Sequence, residues 1–120
     1  MGPARNRGRV TSEQQFSIRR EPRELATRIV VTGELDMVGA PSLEAAITEL
    51  CEAGAREIEL DLRKLAFLDS RGVHALLRAR EHCREHASEL FVIPAQAPGP
   101  RKVLDLTGAQ EMFAWRDAED

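Results

Sequence analysis

The sequence has no long apolar run and only two cysteines. A membrane-spanning helix needs about 20 consecutive apolar residues, and no segment approaches that length. The N-terminus also lacks the apolar core of a secretory signal peptide. We therefore expect a protein of the cytoplasm that has no membrane span.

The sequence offers no complete set of metal ligands. Cys51 and Cys83 fall in different predicted helices, without the spacing of a metal site, so we expect reduced, partly buried thiols. His82 and His86 share one helix face beside Cys83, but no further Cys or His cluster completes a site. The phosphate-binding pattern Gly-x-x-x-x-Gly-Lys-Ser/Thr is also missing. We predict no metal and no other cofactor.

Positive charge is not in excess either. The sequence has 17 Lys and Arg residues and 20 Asp and Glu residues, so no overall basic field attracts nucleic acid. A length of 120 residues suits one domain with a real core. We predict a flexible arm over residues 1–12, one folded domain over residues 13–116 and a short acidic tail over residues 117–120.

Hydrophobic periodicity predicts alternating strands and helices, which is typical of an α/β fold. Pro41 suits a helix start and Gly54 a helix end. The predicted strands cover residues 14–20, 25–32, 57–62 and 90–93; the predicted helices cover residues 41–53, 70–86 and 100–107; and residues 111–115 form a last strand or a packed tail.

The most distinctive stretch is the connection between the third predicted strand and the second predicted helix. The helix begins at Ser70, whose hydroxyl we expect to cap the first turn, and Asp69 places a negative charge near the positive end of the helix dipole. The apolar residues 65–68 attach the connection to the core. An Asp-Ser pair is therefore held rigidly, with a small, polar exposed face.

Three roles are open to Ser70: a packing and capping residue, a nucleophile, or a modified residue. The nucleophile pattern Gly-x-Ser-x-Gly fails because Leu68 stands two residues before the serine, and only His74 lies within reach. A hydrolase is therefore disfavoured. Phosphorylation would add roughly 1.5 to 2 negative charges at a helix N-terminus that accommodates phosphate. Capping alone remains an alternative.

Four segments together resemble a known family. They are Gly33-Glu34-Leu35-Asp36 with Ala40-Pro41, then Leu60-Asp61-Leu62, then Phe67-Leu68-Asp69-Ser70-Arg71-Gly72-Val73, and finally Val103-Leu104-Asp105-Leu106-Thr107-Gly108. In order and spacing, from about Gln14 to Phe113, they resemble the bacterial anti-sigma factor antagonists, which are single STAS domains. The resemblance implies a mixed four- to five-stranded β-sheet with helices packed mainly on one face, and a regulator rather than an enzyme.

The resemblance also implies a partner and a switch. In that family an anti-sigma factor with ATP-binding serine kinase activity phosphorylates the serine of Asp-Ser-x-Gly, which is Ser70 here. The unphosphorylated form binds the anti-sigma factor and frees the sigma factor, and a serine phosphatase resets the cycle. Arg71 departs from the usual Ser or Thr, and it could pair with a phosphate or with an acidic partner.

We predict that the partner binds where the loops after two neighbouring strands cluster. Met37 and Val38 are apolar residues in a predicted loop, and closing the core is the alternative for them. Asp36 either caps the following helix or meets a cation of the partner. The predicted partner-binding residues are Asp36, Met37, Val38, Asp69, Ser70, Arg71, Gly72 and Val73.

A second functional class remains open. The chain could be a STAS subunit of a larger assembly, either a stress-signalling complex or a lipid-transport ATPase complex. The Asp69-Ser70 pair favours the antagonist.

Overall fold

The computed structural model describes residues 16–118. The predicted arm, the first two residues of the first predicted strand and the last two residues of the acidic tail lie outside the described residues. The elements are β1 Ser17–Pro22, β2 Thr27–Leu35, α1 Ala40–Glu52, β3 Glu57–Leu68, α2 Ser70–Glu85, β4 Glu89–Ile93, α3 Pro98–Leu106, a 3₁₀ helix Ala109–Met112 and β5 Ala114–Trp115.

Within the described residues the strands form one mixed sheet of five, in the order in which they occur along the chain. β1 is antiparallel to β2, and β2 through β5 are parallel to their neighbours. Each parallel crossover moves across the sheet in the same direction, so right-handed connections place the helices on the same face. The predicted α/β architecture is confirmed, and residues 111–115 do contain a last strand.

One hydrophobic core lies between the helices and this face of the sheet. Ile58, Leu60 and Leu62 alternate along β3 and are fully buried. Leu43 and Ile47 on α1, together with residues of α2 and α3, cover them. The alternating apolar residues of β3 and the helically spaced apolar residues of α1 therefore pack against each other in one core.

The opposite face of the sheet carries a buried network of charges. Glu59 accepts hydrogen bonds from Arg28 at 2.9 Å and from Arg116 at 2.8 Å, and Asp61 accepts from Arg63 at 2.7 Å. Burial alone would raise the pKa of both carboxyl groups, but these hydrogen bonds outweigh it and hold each pKa below its ordinary value. Both acids are therefore ionised members of the fold.

The prediction that the third strand ends at residue 62 is wrong, because β3 continues to Leu68. Its second half pairs with the end of β2, with Gly33 opposite Leu65 and Leu35 opposite Leu68, after shifts in register. The shifts break the alternation, so Leu65 and Leu68 are buried while Phe67 is exposed. The run predicted as a connection is a bulged strand, and only part of it faces the core.

Candidate functional site

The sheet brings two turns together at the carboxyl ends of β2 and β3. Leu35 and Leu68 are the last paired residues of the two parallel strands. Asp36 and Asp69 follow them directly, and each opens the connection to a helix. The predicted clustering of the segments around residues 36–38 and 69–73 therefore agrees with the geometry.

Gly72 allows this close approach. A Cβ atom on Gly72 would lie 2.3 Å from the backbone oxygen of Leu35 and 2.6 Å from Cδ1 of Leu68. The first turn of α2 therefore packs directly on the end of β2. Gly72 and Val73 are both buried, so these two predicted partner-binding residues face the core and position the site.

Asp69 caps α2, and the prediction that the Ser70 hydroxyl does so is wrong. Asp69 has an extended backbone, and its carboxylate accepts from the Gly72 N–H at 2.9 Å. Ser70 is already the first helical residue, and its exposed hydroxyl has no hydrogen-bond partner among residues 16–118. Because an N-cap side chain reaches the N–H groups of the first turn, the residue before the helix takes this role.

Asp36 closes the turn before α1. Its carboxylate accepts from the backbone N–H groups of Val38 at 3.0 Å and Gly39 at 3.3 Å, and its carbonyl accepts from Ala40 at 2.9 Å. These bonds account for the half-buried carboxylate, but they lie in the turn before the helix, and α1 has Gly39 as its N-cap with no side-chain capping bond, so the interpretation that Asp36 caps the helix is wrong. Asp36 thus fixes the turn that presents its neighbours.

Apolar side chains are exposed around these two turns. Met37 is 59% exposed and Val38 is 80% exposed, so the alternative that they close the core is wrong. Phe67, three residues before Ser70, is 46% exposed. Exposed apolar groups of this kind are what a protein partner can cover.

A groove of about 290 Å³ opens beside Met37, between the first turns of α1 and α2. The groove was not predicted from the sequence, although residues spaced three and four apart along α2 share one face of the helix and could have indicated it. The groove is lined by Met37, Ala40, Pro41, Glu44, Arg71, His74, Ala75 and Arg78.

The remaining candidates for chemistry lie elsewhere in the core or on α2. Cys51 and Cys83 are free and buried, with their sulfurs 3.7 Å apart. Burial is the main cause, and the neighbouring Cys51 the second, that raises the pKa of Cys83 to about 12. His82 and His86 stack with ring centroids 4.7 Å apart. In the part of the chain that the structure describes, no group of three or more His, Cys, Asp or Glu residues could hold a metal ion.

The fold is that of a STAS domain. A family model described as "Mlab, STAS domain" matches residues 18–114, and the chain belongs to this family. Among residues 16–118, no helix has the length and apolar character needed to cross a membrane.

Relatives of the chain include anti-sigma factor antagonists. The anti-sigma-B factor antagonist of Staphylococcus aureus (strain NCTC 8325 / PS 47) is 25% identical over 85 residues, which cover 71% of this chain and 78% of the relative. The crystal structure of an anti-sigma factor antagonist from Mycobacterium paratuberculosis has 28% identity and a TM-score of 0.76, with 88% of each chain covered.

The fold is also that of the Bacillus cell fate determinant SpoIIAA, whose structure is known in its phosphorylated form. It is 24% identical with a TM-score of 0.64, and the match covers 88% of this chain and 93% of that one. At this identity the likeness concerns the fold.

Proposed function

We propose that this protein binds an anti-sigma factor of the serine kinase type, releases a sigma factor by doing so, and is switched off by phosphorylation of Ser70. The binding surface comprises the exposed residues around the two turns, chiefly Met37, Val38, Ser70 and Arg71. These groups are held in place by Asp36, which closes its turn, by the capping residue Asp69 and by the buried Gly72 and Val73.

The exposed, unbonded hydroxyl of Ser70 is the observation that carries this proposal. A serine that caps its helix has its oxygen engaged, whereas here Asp69 makes the capping bond and the Ser70 hydroxyl is open to solvent. A kinase can therefore reach the hydroxyl without breaking a bond of the fold.

A phosphate on Ser70 would change the surface more than the fold. It would add roughly 1.5 to 2 negative charges beside the Asp69 carboxylate, at the same edge of the sheet as the turn that exposes Met37 and Val38. The N-terminus of α2 favours negative charge, so the helix tolerates the group. A partner that covers the apolar residues would have to desolvate the new charge, which costs binding energy.

The other parts of the cycle belong to other proteins under this proposal. ATP binding and kinase activity reside in the anti-sigma factor, and a serine phosphatase restores the free hydroxyl. The chain itself is a regulator without enzymatic activity or cofactor, and it acts in the cytoplasm without contacting nucleic acid directly.

The first experiment identifies the partner and the modified residue. The immobilised full chain captures proteins from a lysate of the bacterium that encodes it, and mass spectrometry should find an ATP-binding anti-sigma factor. The purified factor with ATP should then add one phosphate to the wild type and to Ser42→Ala, but none to Ser70→Ala. Ser42 is a matched control because it is also an exposed serine in the first turn of a helix.

Calorimetry with the purified factor then tests the switch. Ser70→Ala should bind like the wild type, and Ser70→Glu should bind at least about tenfold more weakly, since it places a charge in the contact. Equal affinity of both variants would contradict the switch.

A structural subunit of a larger assembly is the second candidate. The fold is shared with a sulfate transporter family protein from Wolinella succinogenes, at 17% identity and a TM-score of 0.67. Capture of a transport ATPase or of a stress-signalling complex in place of an anti-sigma factor would favour this candidate.

A further inference from the structure

Arg71 places a positive charge in the first turn of α2, where the dipole of a helix disfavours a cation. Arg71, His74 and Arg78 follow one another at spacings of three and four residues, so they share one face. All three are exposed. The dipole of a helix favours acids in its first turn, and α2 has none there. The position of Arg71 is therefore not explained by the stability of its own helix.

Arg71 and Arg78 differ in their pairing within residues 16–118. Arg78 Nη2 lies 3.0 Å from both carboxylate oxygens of Glu44 across the groove. Arg71 has no ion-pair or hydrogen-bond partner among the described residues. In the groove, the charge of Arg78 is therefore balanced by Glu44, whereas the charge of Arg71 is not balanced. The Arg71 guanidinium also lines the groove together with the exposed Met37.

We infer that the groove between α1 and α2 receives a carboxylate side chain of the anti-sigma factor, with Arg71 as its charge partner and Met37 as the adjacent apolar contact. This inference rests on the proposed function and names the chemistry of the partner at the same site. Arg71 can bind a carboxylate with two parallel hydrogen bonds, which fixes both position and orientation.

A protein carboxylate fits this groove better than a nucleic acid does. A polyanion would meet a net charge of -3 on the whole chain. The exposed Met37 and Val38 offer nothing to a phosphate backbone, but they suit the apolar rim around a protein side chain. The occupant is therefore an acidic residue set among apolar ones.

The same geometry gives phosphorylation a second effect. A phosphate on Ser70 would be one residue away from the Arg71 guanidinium and would compete with the partner's carboxylate for it. The modification would then remove an attraction as well as add a repulsion.

A charge reversal at Arg71 tests the inference with the purified anti-sigma factor. Arg71→Glu should bind at least about tenfold more weakly, because two carboxylates would meet in the groove. Arg71→Lys should bind more weakly than the wild type but more tightly than Arg71→Glu, since lysine keeps the charge and loses the two parallel hydrogen bonds. Arg84→Glu is the matched control, an exposed arginine on the same helix 13 residues further on, about 20 Å along the axis. It should bind like the wild type.

Thermal unfolding separates binding from folding. Arg71→Glu should melt at or above the temperature of the wild type, because an acid in the first turn complements the dipole. Raising the ionic strength should weaken wild-type binding more than binding by Arg71→Glu. A scan of exposed acids on the anti-sigma factor should find one whose change to Arg restores binding to Arg71→Glu.

The outcomes distinguish this inference from the proposed function. If Arg71→Glu binds as tightly as the wild type while Ser70→Glu does not, the acidic occupant is refuted and the switch stands. If both variants bind as tightly as the wild type, both proposals fail. The inference would be overturned in favour of nucleic acid if the wild type bound an oligonucleotide and Arg71→Glu did not, while both bound the anti-sigma factor equally well.

Discussion

Replacing Gly72 by alanine tests directly how the two turns are held together. The new Cβ would lie 2.3 Å from the Leu35 backbone oxygen and 2.6 Å from Leu68 Cδ1. Leu35 is paired with Leu68 at the end of the sheet, so its oxygen has little freedom to move. The first turn of α2 must therefore retreat from β2 and carry Ser70 with it.

The expected magnitude follows from two opposing terms. Overpacking of a core costs about 1–3 kcal/mol, and a clash with a backbone atom belongs at the upper end, near 3 kcal/mol. Alanine is a better helix former than glycine by about 1 kcal/mol. The net loss in the free energy of unfolding is about 2 kcal/mol, which corresponds to a melting temperature lower by about 10 °C.

Circular dichroism during thermal and urea unfolding measures this loss. Ala45→Gly calibrates the propensity term, because Ala45 is exposed in the middle of α1, and it should cost about 1 kcal/mol. If Gly72→Ala melted at or above the wild-type temperature, the packing of α2 against β2 would not be what requires glycine.

Three further expectations follow from the same structure. Asp69→Ala should lose about 1 kcal/mol of stability while Ser70→Ala loses much less, because only Asp69 makes the capping bond; equal losses in urea unfolding would contradict this. The pKa of Glu59 is lower in the folded protein than its ordinary value of 4.5, so ionised Glu59 stabilises the fold above pH 4.5, and this stability is lost as the pH falls through the lower, folded pKa. Glu59→Gln should therefore make the melting temperature fall less steeply below pH 4.5 than it does in the wild type. Met37→Ala should weaken anti-sigma binding with little change in melting temperature, since the side chain is 59% exposed; unchanged affinity by calorimetry would place the interface elsewhere.

The order of the elements could be predicted from the sequence because each has a clear period or end signal. Pro41 and the apolar spacing of α1 defined that helix within one residue of its observed bounds. The clustering of the two turns followed from strand order alone, since parallel neighbours end at the same edge. These are local or topological rules, and they needed no side-chain coordinates.

Long-range pairing set the features that the sequence did not reveal. The second half of β3 is a strand only because it pairs with the end of β2 through shifted registers, which no pattern within residues 63–68 encodes. The burial of Glu59 depends on Arg116, 57 residues away in the chain. The cap of α2 was misassigned because Asp and Ser are both good capping residues, and the backbone of Asp69 decides between them.

This assignment of the cap bears on what a modification at Ser70 can do. If Ser70 capped α2, phosphorylation would have to displace a bond worth about 1 kcal/mol, and folding and binding would change together. With Asp69 in that role, the cap and the Gly72 contact stay in place while the charge on the exposed face changes. A site built this way separates the two effects, because Asp69 and Gly72 maintain the fold while Ser70 and Arg71 remain available to a partner.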